Sequence, residues 1–303
     1  MIAKPKLPFA IEQNLFNIIV IVILGLLYAP LIVHWYDGWL NKSISIEHEY
    51  FSHGLIGLPY AVYIAWTQRK KWLRLEDCSH PLGGVLLLIG AIFYLTGTIE
   101  LVNLSFPILL TGLCLWLKGM PGFNLQKFPL LLVLLATPNS VPYLITPYTL
   151  PLQTFIAGVA GFILMQMGFD VAVDGIYVAV NGKLVEVAPY CAGLKMLFTG
   201  LYVALLLLHW TDNLGNKRKI SSLLLGAIAI SITANIIRNA LLAFFHGKGY
   251  HQLFIWLHDG WGGDMYSAAM LGAIVLLLNF LGKFDPALEL EKPESLFEGH
   301  NGE

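Results

Sequence analysis

Nine stretches of this chain are apolar and nearly as long as a bilayer is thick, which leaves a bundle of membrane helices as the natural fold. They are residues 15–33, 51–67, 82–99, 103–117, 128–145, 152–168, 192–209, 220–243 and 264–282. About 20 apolar residues, at 1.5 Å each, cross roughly 30 Å of hydrocarbon. In lipid every backbone N–H and C=O must be bonded within the protein, so a segment of this kind crosses as a helix. Only 12% of the 303 residues are charged and 57% are hydrophobic, against roughly a quarter charged in a soluble domain. A net charge of -1 gives no attraction to nucleic acid. Lys4 and Lys6 precede the first apolar run as in a secretory signal, but that run is about 20 residues long where a signal core is about 7–15. We read it as an uncleaved first span.

Lys and Arg in short loops resist translocation and so orient the spans. If 152–168 lies on or partly in the bilayer as an interfacial or re-entrant helix, eight spans remain and both tails, about 1–14 and 283–303, are cytoplasmic. The inner loops then hold Lys4, Lys6, the Arg69–Arg74 cluster, Lys118, Lys127, Lys217–Lys219, Lys283 and Lys292, thirteen of the eighteen basic residues. The expectation is one integral membrane domain, residues 1–303, of the all-α polytopic class.

Between 169 and 187 the apolar pattern changes to period two, with Asp174-Gly175 and Asn181-Gly182 between β-branched runs. Asp-Gly and Asn-Gly are strong two-residue hairpin signals, because type I′ turns need positive φ at both central positions. A three-stranded meander is expected, with Val171, Val173, Val178, Val180 and Val185 on one face and Asp170, Tyr177 and Glu186 on the other. An open sheet edge cannot lie in lipid, so the meander belongs outside the hydrocarbon, on the outer face, or against protein.

The meander feeds Cys191 into the span 192–209, whose far end reaches the inner Lys217–Lys219 loop; Cys191 is therefore at the outer end. Arg238 lies about 27 Å along the next span from Ile220 at 1.5 Å per residue, near the same surface. His258 comes shortly before the last span, also outside. A cysteine near a helix start feels unpaired amide N–H groups, which favour the nucleophilic thiolate. An arginine inside an apolar helix costs about 2.5–3.5 kcal/mol at mid-bilayer on insertion scales, and faces protein or water. Histidine suits proton transfer to and from a sulfur or a leaving amine. Asn235, one turn before Arg238, can orient it; His53 and Asp259 are supporting candidates. Cys78 and Cys114 read as small buried residues. The three cysteines have no C-x-x-C spacing, and His246, His251 and His258 match no metal motif, so neither metal nor cofactor is expected.

Cys191-Ala192-Gly193 after a β-run, Asn235-x-x-Arg238 in an apolar helix, His258 before the last helix and Ser52-His53-Gly54 near the second span resemble the exosortase/archaeosortase family over about residues 15–282. Asn235-x-x-Arg238-Asn239 and the run Trp256 to Asp264 are more like the cyanobacterial subgroup, the cyanoexosortases, type B among them. One departure is Ala192, where many members carry serine. The resemblance implies a thiol-dependent protease or transpeptidase of the bacterial inner membrane, with Cys191 as nucleophile. Its partners would be the lipid bilayer, an accessory membrane protein, and exported proteins whose C-terminal signal combines a Pro-Glu-Pro-like motif, a membrane helix and a basic tail. Two other classes stay open on the residues alone: a multi-span transporter of a small anionic solute, and a non-catalytic scaffold for polysaccharide export. Transporters often carry inverted repeats, and no internal duplication is found here.

Overall fold

The computed structural model describes residues 9–40, 50–188 and 193–283. Its contacts form two units, Met1–Pro142 and Tyr143–Glu303.

The first unit contains α1 (Phe9–Leu40), α2 (Gly54–Thr67), the short basic α3 (Arg69–Arg74), α4 (Pro81–Leu95) and α5 (Ile99–Ala136). A straight helix of 38 residues would be about 57 Å long, well beyond the hydrocarbon thickness. Gly119, with φ 56° and ψ -151°, breaks α5 within that length. Pro121 follows at a position where a missing N–H is tolerated. The expected basic loop 118–127 is therefore helix on both sides of one glycine. Lys118 is buried, ion-paired with Asp77 at 2.6 Å and donating to the Leu75 carbonyl at 2.6 Å. Its charge is neutralised by protein and not displayed to headgroups.

Asn103, the first residue of the predicted span 103–117, lies inside α5. It accepts from the Trp35 indole at 2.8 Å and donates to the Pro138 carbonyl at 3.1 Å, with Tyr28 and Ser105 bonded nearby at 2.6 Å. With lipid tails as apolar as leucine, such bonds and close packing are what join membrane helices. Asn103→Leu should cost about 1–3 kcal/mol for each polar group it leaves unpaired, read as a fall in the thermal unfolding midpoint of the purified protein in detergent.

The second unit begins with the end of α6 (Val141–Ile145) and a 3-10 turn (Thr146–Tyr148), which lead into α7 (Leu150–Gln166). These two segments meet at 62°, the geometry of a broken span or a re-entrant loop. Then come β1 (Val171–Asp174), β2 (Tyr177–Val180), β3 (Lys183–Glu186), α8 (Leu194–Trp210), α9 (Lys217–Lys248), α10 (His251–His258) and α11 (Trp261–Lys283).

The strands pair in the order β1-β2-β3, all antiparallel. At the second turn Asn181 (φ 51°) and Gly182 (φ 77°) both adopt the positive φ that a type I′ turn requires. The first turn differs from expectation. Asp174 pairs with Tyr177, so the connecting residues are Gly175 and Ile176, and among these only Gly175 has positive φ. A glycine in first position alone is the demand of a type II′ turn. Because the pairing stays in phase, the two faces keep their expected residues. Val178, Val180 and Val187 pack on Ile156, Ala157, Ala160 and Leu164 of α7 and on Ile236, Ala240 and Ala243 of α9. Protein thus covers the apolar face of the meander. Gly161 and Gly247 permit the approach: a Cβ on either would collide with Val173 or Val180.

Among the described residues three helices are long and apolar enough to cross a membrane, α5, α9 and α11, or four if the bent pair counts as one span. The apolar helices α2, α4 and α8 are shorter. The sequence-based total of about eight spans relies on such short helices as well.

Candidate active site

Arg238 occupies the C-terminal half of α9, among the residues that carry the meander. Its Nη2 donates to the carbonyls of Leu257 and His258 at 3.4 and 3.3 Å, where α10 ends and its last carbonyls have no partner within the helix. A guanidinium there meets the negative end of the helix dipole. Its Nε is buried with no hydrogen-bond partner, a donor held out of water and left unbonded.

His258 is the last residue of α10 and about a quarter exposed. Its Nδ1 lies 2.7 Å from Asp259 Oδ1, and its ring stacks on Phe254 at 5.4 Å and 8°. With Nδ1–H donating to the carboxylate, the basic nitrogen is Nε2. Phe254 is one turn earlier on the same helix, and the sequence reading passed over it; the i, i+4 spacing was the available signal.

The run from Trp256 to Asp264 is a tight helix–turn–helix corner. A Cβ on Gly262 would strike the Trp256 indole, and one on Gly263 would stand 2.9 Å from the Leu257 carbonyl and 3.6 Å from Arg238 Nη2. These glycines let α11 start directly against the Arg238 contact, and the sequence reading assigned them no role.

Cys191 lies outside the described residues, two positions before Gly193. Gly193 is the N-cap of α8 in the left-handed conformation (φ 83°), and a Cβ there would meet Asn235 at 2.7–2.9 Å. Asn235 is fully buried, one turn before Arg238. The chain just after the cysteine is thus pressed onto the α9 segment that bears the arginine. Gly193→Ala combines a clash with left-handed strain of about 1–3 kcal/mol. It should lower the thermal unfolding midpoint more than Gly175→Ala, which carries left-handed strain at an exposed turn but meets no neighbouring atom.

His53 belongs to the first unit. It is buried, stands at the N-cap position of α2 without a side-chain capping bond, and has Nε2 3.0 Å from the Leu135 carbonyl of α5. Among the described residues no cluster of three His, Cys, Asp or Glu could hold a metal ion.

Fold and site together define a helical membrane protein with an arginine–histidine corner beside a small sheet. The model of the transmembrane exosortase family matches residues 39–275, a range that includes every candidate site residue, and the chain belongs to that family. No curated protein and no solved structure matches it. Family membership makes this a membrane protein that acts on exported substrates in the processing of sorting signals.

Proposed function

We propose that this protein is a thiol-dependent peptidase or transpeptidase that cleaves C-terminal sorting signals just outside the substrate's membrane helix. The observation that carries this reading is the bond from Arg238 Nη2 to the backbone carbonyl of His258, which sets a cation against the residue that bears the proton-transfer imidazole, 20 positions along the chain. The contact of Gly193 with Asn235 supports a cysteine close by.

Cys191 attacks the scissile carbonyl as the thiolate, and the tetrahedral oxyanion forms beside Arg238. Collapse expels the amine, which takes a proton from His258, and leaves the passenger protein as a thioester on sulfur. Neutral His258 then deprotonates the second nucleophile, which releases the passenger and regenerates the thiolate. Asp259 holds the imidazole through Nδ1, Asn235 supports the loop at Gly193, and His53 supports the first unit. The site faces the outer side of a bacterial plasma membrane, with both termini in the cytoplasm. The cyanobacterial subgroup is the branch whose motifs these residues most resemble. A thiol-reactive probe tests the assembly: labelling of Cys191 should drop in Arg238→Ala and His258→Ala, and labelling indifferent to both would leave the transporter or scaffold reading.

A further inference from the structure

The meander has two edges, and one leads to the cysteine. Val187 N–H donates to the Ile176 carbonyl at 2.9 Å. Bonding alternates along an antiparallel strand, so Lys183, Val185 and Val187 direct their backbone groups at β2. Leu184 and Glu186 direct theirs away from the sheet. Among the described residues none of these outward groups has a bonded partner outside the sheet. Leu184 is 59% exposed and Glu186 is also exposed, whereas Val185, on the face covered by α9, is only half-buried. Natural proteins usually shorten, charge or cover such an edge. This one is short and carries Lys183 and Glu186, yet no described residue covers it, and it ends five residues before Cys191.

We propose that the open edge of β3 is the substrate-docking strand: an extended peptide segment ahead of the scissile bond adds to it as a fourth strand. The proposal rests on the reading of Cys191 given above. An unpaired strand edge is matched by another backbone, with side-chain pockets supplying specificity; this is β-augmentation. The direction follows from the chain. β3 runs toward Cys191, and residues after the scissile bond belong to a membrane helix, whose backbone is already bonded to itself. The docked residues are therefore those before the bond, and they run parallel to β3. They deliver the carbonyl to the sulfur and leave the following helix free to enter the bilayer. Selection at this edge falls on the substrate's backbone and on residues at alternate positions beside Leu184 and Glu186.

Proline at 184 removes one outward N–H and nothing that β2 uses, while alanine at 184 removes only the side chain. With the full-length protein and a tripartite-tailed substrate in proteoliposomes, Leu184→Pro should raise the half-saturating substrate density about 3- to 10-fold, the effect of one backbone hydrogen bond. The turnover number and thermal midpoint of Leu184→Pro should stay near wild type, and Leu184→Ala, which keeps the N–H and loses only side-chain contact, should raise half-saturation clearly less than Leu184→Pro. An unchanged half-saturation in Leu184→Pro, or an equal effect of alanine, overturns the proposal. So does a fall in stability or a change in oligomeric state, since either means the edge is paired within the chain or with a second copy. An independent readout uses Cys191→Ala/Glu186→Cys and substrates with single cysteines ahead of the scissile bond. Disulfide trapping at every second substrate position supports the added strand, and trapping at all positions or none rejects it. If Cys191→Ala alone still processes substrate, the proposed function fails; this trapping pattern still decides docking on its own.

Discussion

Cells that carry Cys191→Ala in place of the wild-type protein should leave a co-expressed tripartite-tailed protein at full length. Mass analysis of its C-terminus should find no new end. In the proposed mechanism alanine removes the sulfur that forms the thioester; loss of the nucleophile in serine proteases costs about 10⁶-fold in turnover. Cys78→Ala and Cys114→Ala serve as internal controls and should process normally. Cys78 is exposed, contrary to its reading as a buried residue, and Cys114 is half-buried; both belong to the first unit. Full processing by Cys191→Ala would end the thioester mechanism.

Arg238→Ala should reduce turnover about 100- to 1000-fold, the usual cost of losing one oxyanion donor in acyl transfer. Arg238→Lys should recover little of it. Lysine keeps the charge but not the planar fork that spans more than one partner. Nη2 of the guanidinium reaches the carbonyls of Leu257 and His258, and in the proposed mechanism its other N–H groups serve the reacting oxygen. A structural role alone predicts something different: Arg238→Lys would regain stability and activity together. The discriminating measurement is turnover at saturating substrate, paired with the thermal midpoint of each variant. Near-normal turnover in Arg238→Lys would remove the arginine from the chemistry.

Much of this architecture could be read from residue pattern. The β-branched runs of 169–187 announced the meander, and pairing in phase kept its valines on one face even though the first turn uses Gly175 and Ile176 instead of Asp174 and Gly175. A turn shifted by one residue in both flanking strands preserves alternation, so period two survives an error in turn type. Charge counting was less reliable. Lys118 was read as an inner-loop cation but is buried against Asp77, because loop statistics do not register a local partner. Asn103 was missed for the same kind of reason: its partners, Trp35 and Pro138, are 68 and 35 positions away.

By itself the sequence determined that the chain lives in a membrane and where its β insertion falls, and it singled out Cys191, Arg238 and His258 as candidates. Apolar length, period and loop charge are local quantities, and a bilayer converts them directly into topology. Only the tertiary structure decided that Arg238 bonds the His258 carbonyl, that Phe254 and Asp259 hold the imidazole, that Gly193 closes on Asn235, and that no described residue pairs with the outer edge of β3. Those contacts depend on where α8, α9 and α10 end relative to one another, which is set by close packing at Gly193, Gly262 and Gly263 and is not encoded in any single segment.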